Sequence, residues 1–339
     1  MVRLTRPRRA DILAAAGRLR DELRLTDDEP VDIFDVIRDV GVWLIFQPMD
    51  KLLGATLSAG VGGIMVTTQR DVTMQRFTAA HELGHHTLHR NEDIWDYEQD
   101  VDANPADIKE QEANVFAAEF LLPRTLLNQR LRGYGVSRNG DVPPTVAYLI
   151  SRDLGLSYAA TVSRIGEVKN LRASDRERLQ RVRPIDIKRA LLAGREPANR
   201  RAQVWLPDAS TSSFIVDVGD EMFADLPENP STGYRWMRNE PTSAEVEAPV
   251  TVLEDEFAPA RSAELEQFPS EHAVGAQGVR QLHLRADAEG EWTQRLTLRR
   301  PFESTDRSLD TVDLHASVRP LPATLSSRFN TQLPERADE

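Results

Sequence analysis

Three residues within five positions could do hydrolytic chemistry: His81, Glu82 and His85, in the run His81-Glu82-Leu83-Gly84-His85. On a helix the two histidines lie one turn apart, so both imidazoles leave the same face at a separation that a single Zn2+ can bridge. Glu82 lies beside that face, where it can take a proton from water activated by the ion and later pass it to a leaving amine. Two histidines and one acid in this pattern point to metal-dependent peptide hydrolysis. The 339 residues include no cysteine, so the metal has to be held by imidazole and carboxylate.

A catalytic zinc takes a third protein ligand and keeps one position open, and that ligand must come from another element. The stretch after the motif offers Glu110, Glu112 and Glu119. Helical spacing alone does not choose among them. Glu112 is favoured because it sits mid-helix with Ala113 and Phe116 as packing neighbours. His86 and His89 are expected at the surface or behind the ligands, and Tyr97 and Tyr134 are the candidates for stabilising an oxyanion.

These residues need a scaffold, and the pattern around them supplies one. Apolar spacing at Ile12, Leu13, Ala16, Leu19 and Leu23 predicts an amphipathic first helix, and residues 32–40 a second that ends at Gly41. Runs rich in β-formers at 42–46, 55–58 and 64–67 predict a small sheet, after which 73–90 turns helical. Pro105 and Asp107 open another helix that stops before Pro123. Beyond a loop containing Gly133, Gly135, Gly140, Pro143 and Pro144 the chain is again helical up to about Leu192, and 193–201 has the composition of a linker. From about Gln203, short alternating runs such as 213–218, 281–286 and 293–298 between turns predict a β-sandwich, with a flexible tail at 321–339.

Composition agrees with a multidomain chain: 40% hydrophobic and 28% charged residues, with no apolar run of membrane length. Arginines near the N-terminus precede an amphipathic pattern rather than the apolar core of an export signal, so the expected location is cytoplasmic. Charge is uneven, with 13 Lys/Arg against 22 Asp/Glu up to Pro123, 17 against 7 from Arg124 to Arg201, and 12 against 25 afterwards. The basic middle makes nucleic acid a partner to consider. The expected organisation is a metallopeptidase domain at 1–132, a basic helical segment with linker at 133–200, a β-sandwich at 201–320 and a tail at 321–339.

Residues 76–86, Arg-Phe-Thr-Ala-Ala-His-Glu-Leu-Gly-His-His, followed by 110–123, Glu-Gln-Glu-Ala-Asn-Val-Phe-Ala-Ala-Glu-Phe-Leu-Leu-Pro, resemble the ImmA/IrrE family of bacterial metallopeptidases. The resemblance spans about the first 125 residues. It implies an α+β zincin-like domain in which His81, His85 and Glu112 bind Zn2+ and Glu82 is the catalytic base. It also implies a protein substrate inside the cell, typically a helix-turn-helix repressor of stress, DNA-damage or mobile-element genes.

Residues 149–170 read as helix, turn and helix, with Gly155-Leu156 at the turn, Ser157 as N-cap, and Thr161-Val162-Ser163-Arg164-Ile165 resembling the start of a DNA-recognition helix. A basic face packed on the acidic peptidase domain is the competing and favoured reading. Further on, Asn229-Pro230-Ser231-Thr232-Gly233-Tyr234, then Gly275-Ala276-Gln277-Gly278, then Arg300-Pro301-Phe302-Glu303 resemble, in order, the three loops of the chagasin family of cysteine-peptidase inhibitors. That implies an all-β immunoglobulin-like sandwich whose loops enter the cleft of a papain-like enzyme. Gln277 stands where that family usually has glycine, and Phe302 where it has tryptophan, which changes the shape and area of contact.

Overall fold

In a computed structural model that describes residues 4–90, 93–97, 107–138, 140–207, 213–239, 248–259, 278–302 and 308–320, helix α1 (Arg6–Glu22) begins where Thr5 caps the backbone N–H of Arg8 and Pro7 occupies the first turn. It buries Ile12, Ala16 and, unusually, Arg20. Helix α2 (Ile33–Val40) is capped by Asp32 and ends at Gly41, as its sequence predicts. Strands β1 (Trp43–Gln47), β2 (Leu52–Leu57) and β3 (Gly63–Thr67) follow. Helix α3 (Val72–Leu88), started by the Asp71 cap on Met74, carries the histidine motif. Strand β4 (Ile94–Tyr97) completes a sheet in the order β1-β3-β2-β4, with β1 and β3 parallel and the other pairs antiparallel.

Helix α4 (Ile108–Leu121) starts at the Asp107 cap. It packs against α3 on one side and α1 on the other, while α3 also lies on β2 and β3. Every residue from Thr78 to His85 is buried, so this part of α3 has no solvent face and reads as buried all round rather than amphipathic. Helices α5 (Arg124–Gly133), α6 (Pro144–Asp153), α7 (Tyr158–Val168) and α8 (Ala173–Arg181) continue the same compact unit, which extends to Pro184. The basic helical segment expected over 133–200 thus belongs, up to Pro184, to this unit.

The α6–turn–α7 pair forms with Ser157 capping Ala160 N. Yet Thr161, Val162, Arg164 and Ile165 are all buried. Arg164 donates to Leu122 O at 3.0 Å and pairs with Glu119 and Glu167. The residues that resemble a DNA-recognition helix start are spent on packing and on closing the C-terminal end of α4, in keeping with the favoured reading of a face packed on the peptidase domain.

The second unit runs from Ile185 to Leu321. It takes in most of helix α9 (Pro184–Leu191) and strands β5 (Val204–Trp205), β6 (Ser213–Asp217), β7 (Glu221–Glu228), β8 (Arg235–Arg238), β9 (Val250–Pro259), β10 (Gly278–Ala286), β11 (Gly290–Arg299) and β12 (Asp310–Arg319). They form two four-stranded sheets, β5-β7-β10-β9 and β6-β12-β11-β8. Alternate residues of both sheets, among them Met222, Ala224, Leu282, Leu284, Leu296, Leu314 and Ala316, meet in one core. Each fully buried Leu or Met there contributes about 1.5–3 kcal/mol.

The boundary expected near residue 200 falls earlier because 193–201 is not a free linker. Buried Lys188 donates to the carbonyls of Arg200 and Ala202, Ala198 N donates to Glu221 at 2.7 Å, and Arg195 pairs with Glu254 and Glu256 of β9. The expected tail, 321–339, lies outside the described residues. Among the described residues no helix is long and apolar enough to cross a membrane.

Candidate metal centre

The site begins with a close approach of two helices. A Cβ on Gly84 would stand 3.2 Å from the Cα of Ala113 and 3.2 Å from the Phe116 ring, so glycine lets α4 lie this near to α3, and any side chain there would make the neighbouring helix shift. That proximity brings the first turn of α4 to the histidines. His81 Nε2 is 3.1 Å from Glu110 Oε2, His85 Nε2 is 3.2 Å from Glu110 Oε1, and the two Nε2 atoms are 3.0 Å apart. All three side chains are buried. One turn beyond Glu110, Asn114 Oδ1 accepts from His81 Nδ1 at 2.9 Å, which leaves the Nε2 lone pair facing the cluster.

This donor set fits a metal ion. His81, His85 and Glu110 form the ligand-type cluster found among the described residues. A tetrahedral zinc with bonds of ~2.0–2.1 Å has ligand atoms about 3.4 Å apart, close to the separations here. A bare imidazole nitrogen held against a carboxylate repels it unless a cation or proton lies between them. Without an ion that charge has to come from protons: burial pushes the Glu110 carboxyl up, but hydrogen bonds from protonated His81 and His85 and their positive charge outweigh it and bring it down to about 2, so the cluster calls for a cation or a proton.

Glu112, the expected third ligand, is not brought to this point. A step of two residues turns about 200° around a helix, and Glu112 instead receives Arg8 Nε at 2.6 Å and Nη2 at 2.5 Å and lies 2.9 Å from His89 Nε2. Hydrogen bonding by Arg8, more than by His89, holds the Glu112 carboxyl below its ordinary range against the opposing effect of burial. Glu119 is engaged by Arg164. The three acids of α4 thus have three different partners, and only Glu110 faces both motif histidines.

Glu82 is fully buried, and its Oε2 accepts from Thr56 Oγ1 of β2 at 2.6 Å. Strand β2 comes this close because residue 54 is glycine: a Cβ there would overlap Glu82 Oε1 and lie 2.6 Å from Thr78 Cγ2 and 2.9 Å from Glu82 Cδ. A cavity of about 310 Å3 opens beside the site, bordered by Thr56 and His89, with His86 and Arg90 on its wall. Burial and the nearby Arg90 push His86 down. The Tyr134 hydroxyl donates to Asp153, and burial with that carboxylate pushes it up. The side chain of Tyr97 lies outside the described residues.

Sequence reasoning gave no role to Arg8, Gly54, Thr56 or Asn114. Asn114 was the most accessible of these, since a residue four after Glu110 shares its helical face.

In the second unit, residues 229–234 form a tight 3-10 turn over Pro230–Thr232. Asn229 Oδ1 accepts from Ser231 N at 3.2 Å and Ser231 Oγ at 2.7 Å, and Thr232 Oγ1 donates to Asn229 O. Gly233 follows the turn, and the Arg300 guanidinium lies 4.8 Å from the centre of the Tyr234 ring, placing the 300–302 loop beside the first. Pro301 leads to Phe302, which is 79% exposed. Gly278 opens β10, while Gly275 and the rest of that loop, with Glu303, lie outside the described residues.

Two family models match the chain, an IrrE N-terminal-like domain of peptidase family M78 over 37–165 and the chagasin family of peptidase inhibitors, I42, over 215–316. No curated protein matches it. Similar solved structures include the cysteine protease inhibitor EhICP2 of Entamoeba histolytica, at 20% identity over 36% of this chain and 100% of that one, TM-score 0.29. Leishmania mexicana ICP matches at 24% identity over 35% and 91%, TM-score 0.24. PbICP-C, solved in complex with falcipain-2, matches at 16% over 36% and 93%, TM-score 0.21. The chain thus carries an IrrE N-terminal-like domain followed by a chagasin-family domain.

Proposed function

We propose that this protein is a zinc-dependent endopeptidase in which His81, His85 and Glu110 hold the ion and Glu82 is the general base. The observation that carries this is the convergence of two imidazole nitrogens and one buried carboxylate at 3.0–3.2 Å. When bound, zinc supplies Lewis acidity to water and to a peptide carbonyl. Asn114 holds the His81 ring in one tautomer. Thr56 holds Glu82, whose carboxylate takes the proton of the attacking water and returns it to the leaving nitrogen. The cavity at Thr56 and His89 gives a substrate side chain room next to these groups. Elemental analysis of protein purified without chelators is the test: one zinc per chain is expected, none in Glu110→Ala, and metal-free wild-type protein would end the proposal.

The proposed substrate is a helix-turn-helix repressor. What supports it is the resemblance of residues 76–86 and 110–123 to ImmA/IrrE peptidases, together with the M78 match. The α3/α4 arrangement over the sheet is read as zincin-like, the second unit as an immunoglobulin-like sandwich, and the site of action as the cytoplasm. Incubation with a repressor encoded beside this gene is expected to yield a discrete cut that Glu82→Gln abolishes.

A second activity is favoured by one observation, the pairing of the 229–234 and 300–302 loops with Phe302 exposed beside them. It is binding to a papain-like cysteine peptidase. Full-length protein is expected to inhibit papain, and Phe302→Ala to weaken inhibition at least tenfold, since an exposed aromatic anchor at such an interface contributes about 2 kcal/mol or more. Equal inhibition by both proteins would remove Phe302 from the contact.

A further inference from the structure

Behind His85, hydrogen bonds lead away from the ligand cluster to a helix that precedes the M78-matched region. His85 Nδ1 is 3.0 Å from His89 Nδ1, one turn along α3. His89 Nε2 is 2.9 Å from Glu112 Oε2, and the two Glu112 oxygens receive Nε and Nη2 of Arg8 from α1 at 2.6 and 2.5 Å. Residue 8 lies outside the region 37–165 that matches the peptidase family.

One allocation of protons satisfies all four contacts while leaving His85 Nε2 bare. Glu112, ionised, only accepts, so His89 carries its proton on Nε2 and offers the Nδ1 lone pair. His85 must then donate from Nδ1, which turns its Nε2 lone pair toward His81 and Glu110. The bidentate guanidinium supplies the charge that a buried carboxylate requires. We infer that Arg8, Glu112 and His89 are positioning residues that fix the tautomer and ring orientation of His85, making helix α1 a working part of the metal centre. This rests on the zinc reading above. Partners of this kind behind a metal-binding histidine are worth about 10–100-fold in affinity.

The test measures zinc affinity of the full chain by chelator competition for wild type, Arg8→Ala, Arg8→Lys, His89→Phe and Arg9→Ala. Arg9 is the control, since it sits on the same helix but pairs with Glu167 at 2.9 Å. Expected are a loss of about 10–100-fold for Arg8→Ala and His89→Phe, a smaller loss for Arg8→Lys, which keeps the charge without the fork, and none for Arg9→Ala. Nitrogen NMR of metal-free wild-type protein is expected to find the His85 Nδ1 protonated and the His89 Nδ1 bare. Wild-type affinity in folded Arg8→Ala and His89→Phe, or an unprotonated His85 Nδ1, overturns the inference. If the wild-type protein takes up no zinc, the metal reading falls, and the NMR assignment still decides whether the hydrogen-bond chain orders His85.

Discussion

A methyl group at position 54 would collide with the carboxylate proposed to act as base, because strand β2 passes within van der Waals reach of Glu82 and Thr78. Gly54→Ala therefore has to push the Glu82 carboxylate or the strand aside. A misplacement of about 1 Å can cost ~100-fold in rate, whereas the metal ligands are untouched. The expected outcome is a kcat on the repressor lowered by one to two orders of magnitude with zinc content unchanged, read by turnover and elemental analysis side by side. Glu82→Gln should match it in metal content and fall further in rate. Unchanged turnover in Gly54→Ala would mean that the Glu82 position seen here is not the working one. At this scale the sequence was partly legible. His81 and His85 come together as their spacing predicts, because two histidines four apart on a helix share a face. The choice between Glu110 and Glu112 did not follow, because it depends on which face of α4 meets α3. That is a tertiary fact, although the Glu110/Asn114 spacing carried part of it.

Helix α4 is held from two sides, and the two contacts have different sequence signatures. Against α3 the contact depends on Gly84 lying over Ala113. Against α1 it depends on Arg8 pairing with Glu112 and on buried Arg20 donating to Phe120 O at 2.7 Å, a carbonyl in the last turn of the helix. Gly84→Val is expected to force the helices apart. Overpacking of this kind costs about 1–3 kcal/mol. Because Glu110 travels with α4, zinc affinity should fall together with the denaturant midpoint. A variant that lost stability yet kept wild-type affinity would show that the Gly84 contact does not set the position of Glu110. Caps and periodicity identified α2, α3, α4 and the α6–turn–α7 pair from sequence. Their partners were not legible, and for that reason Thr161 to Ile165 left a DNA-facing helix start open beside the favoured reading of a packed basic face. Helical spacing shows that a stripe is apolar or basic but not what covers it, and here Glu119, Glu167 and the Leu122 carbonyl occupy Arg164. The linker reading of 193–201 failed similarly, since its composition does not disclose that Glu221 and Lys188 bind its backbone.

Each of the two units has its own buried interior, one on either side of residues 184 and 185, and the proposed zinc ligands all lie in the first. An ion that binds only the folded first unit stabilises it by about 2.7 kcal/mol at a free concentration a hundredfold above its Kd. For a unit of this size that raises the melting temperature by roughly 5–10 °C. No described residue of the sandwich belongs to the His81, His85 and Glu110 cluster, and its own transition is expected not to move. Calorimetry of the full chain is therefore expected to resolve two transitions, of which added zinc raises one. Glu110→Ala should abolish that rise without altering the other transition, while Phe302→Ala, exposed in the second unit, should leave the zinc-dependent shift intact. A single transition that moves as a whole with zinc would mean that the two units unfold cooperatively, and the independence argued from their separate cores would be wrong.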